Sequence, residues 1–441
     1  MIKLKNFIYQ ATRSVFVRNV VILATGTAGA QFITMGFSPI VTRLYGPEAF
    51  GLLGTFVAVV GVFSSIGAFS YPVAIVLPKD DKDAKVIVRL SIYISLSIAT
   101  MTALLLVVSG SGLVKVLKAE EVKPFIALVP LIIILTVWLR TNEQWLIRKK
   151  QFKLTARVSV LQALIINCAK ALIGFFNPLS AVLILLYAFG IALNAFMLSV
   201  GRKLSREIKN EGTNHHAAKK SLWTVAKTYY DFPLFRTPQA FVHTASQNLP
   251  VIMLAAFFGP ATAGFYSLCY KVLSLPTVLI SKAVGDVFYP RINEAIYRNE
   301  NLSKIIFKAT FSLAVIGIVP YGLIVALGPW LFEIVFGAEW VAAGEYARWV
   351  AFLMFFYFIN KPCVVTIPVL RLQKFLLIYE ITAALLRFVG LIGGFFVFHS
   401  DLMAIVLFSA AGIVMYITLI VYVFMKSTKE VQYRDELEPF S

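Results

Sequence analysis

The fold of this chain is decided by the stretch Ser38-Pro39-Ile40-Val41-Thr42-Arg43-Leu44-Tyr45-Gly46-Pro47-Glu48-Ala49-Phe50-Gly51, which separates two long apolar runs. Gly46-Pro47 interrupts any preceding helix, because proline lacks an amide hydrogen and disfavours helix in the residue before it. The same proline suits the first turn of a following helix. The stretch therefore predicts a helical hairpin whose hinge is Gly46 and Pro47.

A second copy of this turn lies far downstream. It reads Phe257-Phe258-Gly259-Pro260-Ala261-Thr262-Ala263-Gly264 and repeats the order aromatic, Gly, Pro, three residues, Gly, with Gly259 placed 213 residues after Gly46. We predict that Gly259 and Pro260 form the equivalent hinge. A weaker match between residues 148–152 and 371–375 also supports an internal duplication, with a short insertion in the second half.

The composition indicates a membrane protein. The chain has 441 residues, of which 59% are hydrophobic and 14% charged, and its mean hydropathy is +0.81. Apolar runs of about 20 residues, the length that crosses a bilayer as a helix, recur throughout. We therefore predict an all-α polytopic membrane protein with twelve transmembrane helices. The predicted spans are 19–41, 50–77, 86–109, 124–147, 155–176, 179–201, 234–257, 261–283, 304–327, 346–369, 375–397 and 401–425.

The positive charges predict the orientation. Thirty of the 41 Lys and Arg residues fall in the amino terminus, the tail and alternate loops, which the positive-inside rule places in the cytoplasm. Both termini are therefore predicted to be cytoplasmic. The net charge of +19 is then a topology signal and an attraction to anionic lipid headgroups, and it does not indicate nucleic-acid binding.

Six spans in each half mean that both halves enter the membrane from the same side. This favours two six-helix lobes related by a parallel pseudo-two-fold repeat. The predicted domains are an amphipathic cytoplasmic segment 1–18, an N-terminal lobe 19–201, a cytoplasmic linker 202–222, a C-terminal lobe 223–425 and a cytoplasmic tail 426–441.

Two local features stand out in the first two spans. Residues 26–30 are all Gly, Ala or Thr, which suits close packing between helices. Tyr71-Pro72 lies within the second span, where a proline kinks a helix and frees carbonyl groups. We count Tyr71 and Pro72 among the candidate hinge residues.

Charged residues inside the predicted spans are the candidate binding site. Each would cost roughly 2.5 to 3.5 kcal/mol at the membrane centre if it faced lipid, so we expect them to face protein or water. Lys170, Lys271 and Arg387 lie deepest in their spans, and we predict that they line one cationic cavity. Arg140 and Arg43 are further candidates for this cavity.

Acidic residues are fewer in the spans and their edges. Glu143, Glu380 and Asp286 could neutralise the cations or carry a coupling ion. The three cysteines are far apart and form neither a disulfide framework nor a zinc motif. The chain has no phosphate-binding loop, nucleophile elbow or zinc-protease motif, so we expect no cofactor and no enzyme activity.

Residues 23–51, from Ala24-Thr25-Gly26 to the Gly46-Pro47 turn, resemble the opening hairpin of Wzx-type polysaccharide flippases. Tyr71 followed by residues 74–78, Ala-Ile-Val-Leu-Pro, is similar to their second helix. The resemblance is strongest over residues 20–85. It implies membership of the multidrug/oligosaccharidyl-lipid/polysaccharide exporter superfamily, a V-shaped pair of six-helix lobes that work by alternating access.

The resemblance also implies a substrate. The family moves undecaprenyl-pyrophosphate-linked oligosaccharide from the cytoplasmic to the periplasmic leaflet of a bacterial inner membrane, for O-antigen, capsule or exopolysaccharide. It further implies nearby partners, a polysaccharide polymerase and a chain-length regulator. A basic cavity suits the pyrophosphate or an acidic sugar.

Two other functions, a drug or cation antiporter and a membrane enzyme, are alternatives to the flippase. A multidrug or cation antiporter of the same superfamily would call for carboxylates in the first and seventh spans, where this chain has Gln31, Arg236, His243, Gln247 and Asn248. A membrane enzyme that polymerises glycans should have a large periplasmic loop. The longest loop here is predicted to be cytoplasmic, which argues against such an enzyme.

The predicted topology can be tested with reporter fusions. Reporters at Asp81, Asn210 and Ser441 should read cytoplasmic, because the flanking loops are rich in Lys and Arg. Reporters at Asn177 and His399 should read periplasmic. A cytoplasmic reading at Asn177 would contradict the parallel repeat.

Overall fold

A computed structural model describes residues 15–78, 80–116, 123–208, 221–298, 300–370 and 372–437, and in these residues it contains helices and no strand. By its contacts the chain divides into two compact units, residues 1–248 and 249–441. The helices of the first unit are α1 Val15–Ile66, α2 Tyr71–Ala74, α3 Asp81–Val116, α4 Lys123–Ile126, α5 Val129–Arg148, α6 Phe152–Phe176, α7 Ser180–Ile208 and α8 Leu222–Thr228.

The two units are covalently joined within one helix. A π-helical turn, Phe232–Arg236, leads into α9 Thr237–Phe258, and the division falls inside α9. The second unit continues with α10 Pro260–Tyr297, α11 Leu302–Phe336, a 3-10 turn Ala338–Trp340, α12 Val341–Ile359, α13 Lys361–Thr366, α14 Gln373–Phe396 and α15 Asp401–Leu437.

The predicted domain ends lie partly outside the described residues. These include residues 1–14 of the amphipathic segment, residues 209–220 of the linker and residues 438–441 of the tail. The division inside α9 lies downstream of the linker 202–222. The lobe boundaries stay a prediction.

Each of the twelve predicted spans falls mainly on helical backbone. Among the residues the structure describes, nine helices are long and apolar enough to cross a membrane, with the first two spans counted together as Thr25–Ile66. Helices α5 and α10 are not among the nine, and in α5 the run Arg140-Thr141-Asn142-Glu143-Gln144 lowers the mean hydropathy. The chain is a multi-pass helical membrane protein, and the count of twelve crossings stays a prediction.

The Gly-Pro turns have the backbone geometry that glycine permits. Gly46 has φ 69° and ψ 173° and is the non-helical residue inside α1. Gly259 has φ 98° and separates α9 from α10. The sequence suggested a longer polar turn around Gly46, but residues 38–45 are helical, so the break is confined to one residue.

The second span ends earlier than predicted. Helix α1 stops at Ile66, Phe69 and Ser70 have positive φ, and α2 begins at Tyr71-Pro72. The expected kink is therefore a helix end followed by a new helix start. The reason is that Ser70 in the left-handed region cannot continue a helix, whereas Pro72 suits a first helical turn.

Small residues set the closest helix contacts. A Cβ built on Gly26 of α1 would lie 2.2 Å from Ala156 Cβ of α6, so these helices touch there, as the small residues 26–30 predicted. In the second unit Gly344 of α12 meets Pro329 of α11, and Gly394 of α14 meets Ala404 of α15. Small residues of this kind let the helix backbones come close together. The helices can therefore pack densely in a membrane, where the hydrophobic effect does not drive them together.

Helix neighbours recur between the units. In the first unit α3 packs on α5, α5 on α7 and α6 on α7. In the second unit α11 packs on α12, α12 on α15 and α14 on α15. In both halves, the third predicted span packs on the fourth, the fourth on the sixth, and the fifth on the sixth. The recurrence supports duplication, while the pseudo-two-fold relation stays a prediction.

Ion pairs stabilise the connections that we predict to be cytoplasmic. Arg148 Nε donates to Asp81 Oδ1 at 3.0 Å, and Arg148 Nη1 donates to the carbonyl of Ile75 at 3.3 Å. Near the end of α10, Arg291 Nη1 donates to Oε1 of Glu300 in the following connection at 3.2 Å, and this hydrogen bond lowers the pKa of the Glu300 carboxyl. The repeat partner of Arg148, Arg371, lies outside the described residues.

The positive φ of Gly259 can be tested in isolation, because a Cβ at this residue would meet no atom within 4 Å. We expect Gly259→Ala to destabilise the protein by about 1 kcal/mol or more, through backbone conformation alone. The measurement is the midpoint of thermal unfolding in detergent. Gly322→Ala in α11 is the matched control, since its Cβ also meets nothing within 4 Å but its backbone is helical. Equal midpoints for the two variants would contradict the conformational requirement.

Candidate functional site

The structure separates the interior cations by their exposure. Arg387 is only 2% exposed. Lys170 and Lys361 are half-buried. The exposed members are Arg140, Arg236 and Lys271, together with Arg43 beside the first hinge. Lys170 belongs to the first unit and Lys271 and Arg387 to the second, and the proposal that they line one cavity stays untested.

An interior cavity of about 210 Å³ lies in the first unit among α1, α5, α6 and α7. Its polar lining consists of Thr34, Gln162, Asn167, Lys170, Tyr187 and Asn194. Leucine, isoleucine, alanine and glycine complete the wall. The volume holds several water molecules, and the polar groups can bind them.

Hydrogen bonds orient the amides of this cavity. Asn167 Nδ2 donates to Thr34 Oγ1 at 3.2 Å and to the Ala163 carbonyl at 2.7 Å. Gln162 Nε2 donates to the Gly190 carbonyl at 3.3 Å. Asn167 thereby uses both of its amide N–H groups, whereas the amide oxygens, the second N–H of Gln162 and the Lys170 ammonium can bind a ligand or water.

The hinge stretch positions the helix that carries Lys170. Tyr45, which precedes Gly46, is buried, and its hydroxyl donates to the Lys170 carbonyl at 3.0 Å. A Cβ on Gly174 would lie 2.4 Å from the Tyr45 ring, so the ring occupies the space beside this glycine. The opening motif and the interior lysine are thus parts of one contact between α1 and α6.

Arg140 and Glu143 lie on α5 near the same cavity. Arg140 interacts electrostatically with both Glu143 and Tyr187, and Tyr187 lines the cavity. The Tyr187 ring also packs edge-on against Phe56, with 6.3 Å between ring centroids. Arg140 is thus the cation whose charge acts on Glu143, and a role of Glu143 in neutralisation or ion coupling stays a prediction. The side chain of Asp286 is outside the described residues.

Arg387 is the centre of an aromatic cluster in the second unit. Its guanidinium carbon lies 5.1 Å from the Tyr416 ring centroid and 5.8 Å from that of Phe408. It also hydrogen-bonds Tyr416. Gly412 gives room to two side chains here, since a Cβ there would lie 2.3 Å from Leu353 Cδ1 and 3.3 Å from Arg387 Nε. Cation–π contacts of this kind stabilise a desolvated guanidinium by about 2 kcal/mol.

Further polar groups surround Arg387. Lys361 Nζ lies 3.8 Å from the centroid of the Tyr357 ring, which is 5.4 Å from that of Tyr416. Glu380 interacts electrostatically with Arg387 and with Lys361. Arg387 also interacts electrostatically with Tyr266, Tyr270 and Tyr379. We call this set the arginine–tyrosine cluster.

Sequence reasoning named Arg387 and Glu380 as candidates but not the tyrosines around them. Tyr357 and Lys361 are one helical turn apart in sequence, which is the signal that could have linked them. Tyr416 lies on another helix and carries no local signal. In contrast, Lys271 is exposed on α10, so a position deep in a predicted span did not mean a buried side chain.

The interior cavity and the arginine–tyrosine cluster form two polar clusters, and both suit a ligand with hydroxyl and phosphate groups. Amide oxygens, tyrosine hydroxyls and aromatic faces bind sugars, whereas guanidinium and ammonium groups bind phosphate oxygens. Among the described residues there is no group of three or more His, Cys, Asp or Glu side chains that could hold a metal ion. The polar and cationic side chains of the cavity and of the arginine–tyrosine cluster are suited to recognition by hydrogen bonds and positive charge.

A family model for polysaccharide biosynthesis proteins matches residues 16–296, more than half of the chain. The chain belongs to this family. Among its curated relatives, the succinoglycan biosynthesis transport protein ExoT of Rhizobium meliloti (strain 1021) is 24% identical over 355 residues, covering 80% of this chain and 67% of ExoT. The predicted resemblance to polysaccharide flippases is confirmed at the level of the family.

Solved structures show the same fold. The lipid II flippase MurJ, in an inward closed conformation, aligns with a TM-score of 0.69 at 13% identity, covering 96% of this chain and 93% of MurJ. An inward-facing multidrug resistance transporter of the MATE family and MOP superfamily aligns with a TM-score of 0.66 at 10% identity, covering 93% and 95%. This polysaccharide family member therefore has the transporter fold of that superfamily. The relatives are named as transport proteins, in agreement with the expectation of a transporter rather than an enzyme.

Thiol labelling can show whether the cavity holds water. In a Cys168→Ser background, we expect Asn194→Cys to react with a hydrophilic maleimide several-fold faster than Leu172→Cys. Asn194 lines the cavity, whereas Leu172 is 66% exposed on the same bundle. The reason is that maleimide reacts with the thiolate, which forms in water and not in lipid. Faster labelling at residue 172 would contradict an aqueous cavity.

Proposed function

We propose that this protein is a flippase that moves undecaprenyl-pyrophosphate-linked oligosaccharide from the cytoplasmic to the periplasmic leaflet. We place it in a bacterial inner membrane, with both termini in the cytoplasm. The product would serve surface polysaccharide synthesis, whether O-antigen, capsule or exopolysaccharide. The names of two similar proteins, a succinoglycan transport protein and a lipid II flippase, support a lipid-linked substrate.

The observation that carries this proposal is the pairing of interior cations with sugar-binding groups. Lys170 shares its cavity with amides and a tyrosine. Arg387 shares its cluster with tyrosines, Lys361 and Glu380. A pyrophosphate and a glycan require these two kinds of contact at once. We infer that both clusters contact the headgroup during transport.

Alternating access requires that these contacts be moderate, because a site that holds pyrophosphate too tightly would not release it. A guanidinium between aromatic rings meets this requirement, since its charge is already partly stabilised by Tyr416 and Phe408.

We further propose that Glu143, Glu380 or Asp286 carries a coupling ion. The Gly46-Pro47, Tyr71-Pro72 and Gly259-Pro260 breaks are proposed as hinges, Arg43 and Arg140 as further headgroup contacts, and a polymerase and a chain-length regulator as partners.

Charge substitutions test the proposed substrate contacts. In a flippase deletion strain, Lys170→Arg and Arg387→Lys should support more surface polysaccharide than the alanine variants, and glutamate variants should support least. Loss of one charged hydrogen bond predicts about a ten- to hundredfold loss of transport for alanine. Membrane abundance must be measured by blot, because Arg387 is buried.

The control for these variants is Lys304→Glu, which changes an exposed charge outside both clusters. Normal polysaccharide at normal abundance with glutamate at residues 170, 271 and 387 would refute the cationic site. The same strains should show unchanged susceptibility to cationic drugs. A change in drug susceptibility without a change in polysaccharide would instead support the antiporter.

A further inference from the structure

A second concavity of about 640 Å³ lies between α1 and α6, separate from the interior cavity. Its residues are Thr25 and Gly26 on α1, and Lys153, Ala156, Arg157, Val160, Leu161 and Leu164 on α6. Its floor is the contact between Gly26 and Ala156, where a Cβ on Gly26 would lie 2.2 Å from Ala156 Cβ. We call this concavity the α1–α6 groove.

One end of the groove is cationic. Lys153 and Arg157 are four residues apart, so they lie on one face of α6, and both are exposed. Neither forms an ion pair or a hydrogen bond with a residue that the structure describes. They also occupy the first two turns of α6, where the helix dipole already disfavours positive charge. An anion is the group that would compensate them.

The other end of the groove is apolar. Val160, Leu161 and Leu164 continue the wall along α6, and Leu161 and Leu164 are 47% and 43% exposed. The rise of an α-helix places Leu164 about 10 Å along the axis from Arg157. A phosphate followed by the upper part of an acyl chain has this length and this order of charge. Free phosphate would leave the apolar end of the groove unused.

We propose that the α1–α6 groove binds one anionic phospholipid of the cytoplasmic leaflet, with its phosphate at Lys153 and Arg157 and a chain along Leu161 and Leu164. Charge complementarity selects the anionic lipid, because the ammonium group of a zwitterionic headgroup would lie close to Lys153 and Arg157 and be repelled by them. This site differs from the proposed flippase site in location and in ligand, and its test does not depend on transport.

The test is native mass spectrometry of the full-length protein in detergent, titrated with phosphatidylglycerol or with phosphatidylcholine. We expect phosphatidylglycerol to be retained preferentially. Each cation near an anionic headgroup strengthens binding about fivefold, so the double variant Lys153→Gln/Arg157→Gln should weaken phosphatidylglycerol binding by about 25-fold. Phosphatidylcholine binding should change little.

The matched control is the double variant Lys304→Gln/Lys308→Gln. These lysines have the same spacing, are also exposed and lie in the first turns of α11, but they line neither concavity. Their replacement should leave phosphatidylglycerol binding unchanged. An equal loss in both double variants, or no loss at residues 153 and 157, would overturn the proposal.

A second pair of variants tests the apolar end. Leu164→Asn should shorten lipid retention, whereas Leu172→Asn, on the same helix and 66% exposed but outside the groove, should not. Equal retention in the two variants would show that no chain lies along α6. Displacement of phosphatidylglycerol by a polyprenyl pyrophosphate at equimolar concentration would assign the groove to the cargo lipid and overturn the phospholipid assignment.

Discussion

The contact between α1 and α6 is the constraint on which the first unit depends. Gly26 meets Ala156 at one point of these helices, and Tyr45 meets Gly174 and the Lys170 carbonyl at another. Both the interior cavity and the α1–α6 groove have walls from this pair. In a membrane, where water does not drive helices together, such small-residue contacts and buried hydrogen bonds determine which helices become neighbours. The helix that precedes the first Gly-Pro break thus also shapes both concavities.

The cost of burying charge is met in two different ways. In the first unit, Lys170 lies beside a polar cavity that can admit water. In the second unit, Arg387 is almost fully buried, and the faces of Tyr416 and Phe408 take the place of water. A compact ammonium needs hydration, whereas a planar guanidinium is weakly hydrated and stacks on rings. The choice of Lys or Arg therefore matches the surroundings, and an exchange of one for the other keeps the charge but loses this match.

Much of the fold and part of the site could be predicted. Apolar runs located the helices, and Gly46 and Gly259 marked the breaks between them, because proline chemistry and positive φ act on the local chain. The end of α1 at Ile66 was missed, since it depends on Phe69 and Ser70 adopting positive φ, which neither residue type favours. Among the candidate site residues, Lys170 and Arg387 were singled out because a charge is costly inside a membrane. The tyrosines around Arg387 were not, since a tyrosine in an apolar span carries no such penalty.

By itself, the sequence determined the helical membrane class, the repeated Gly-Pro breaks and the set of interior charges, because hydropathy, proline geometry and charge are properties of a residue and its near neighbours. Only the tertiary structure decided which of these charges are buried and what surrounds them. Lys271 and Arg387 looked alike in sequence, yet one is exposed and the other is enclosed by Tyr416, Phe408 and Gly412. The physical reason is that burial is set by packing between helices distant in the chain, and no local pattern records which face of a helix meets its neighbour.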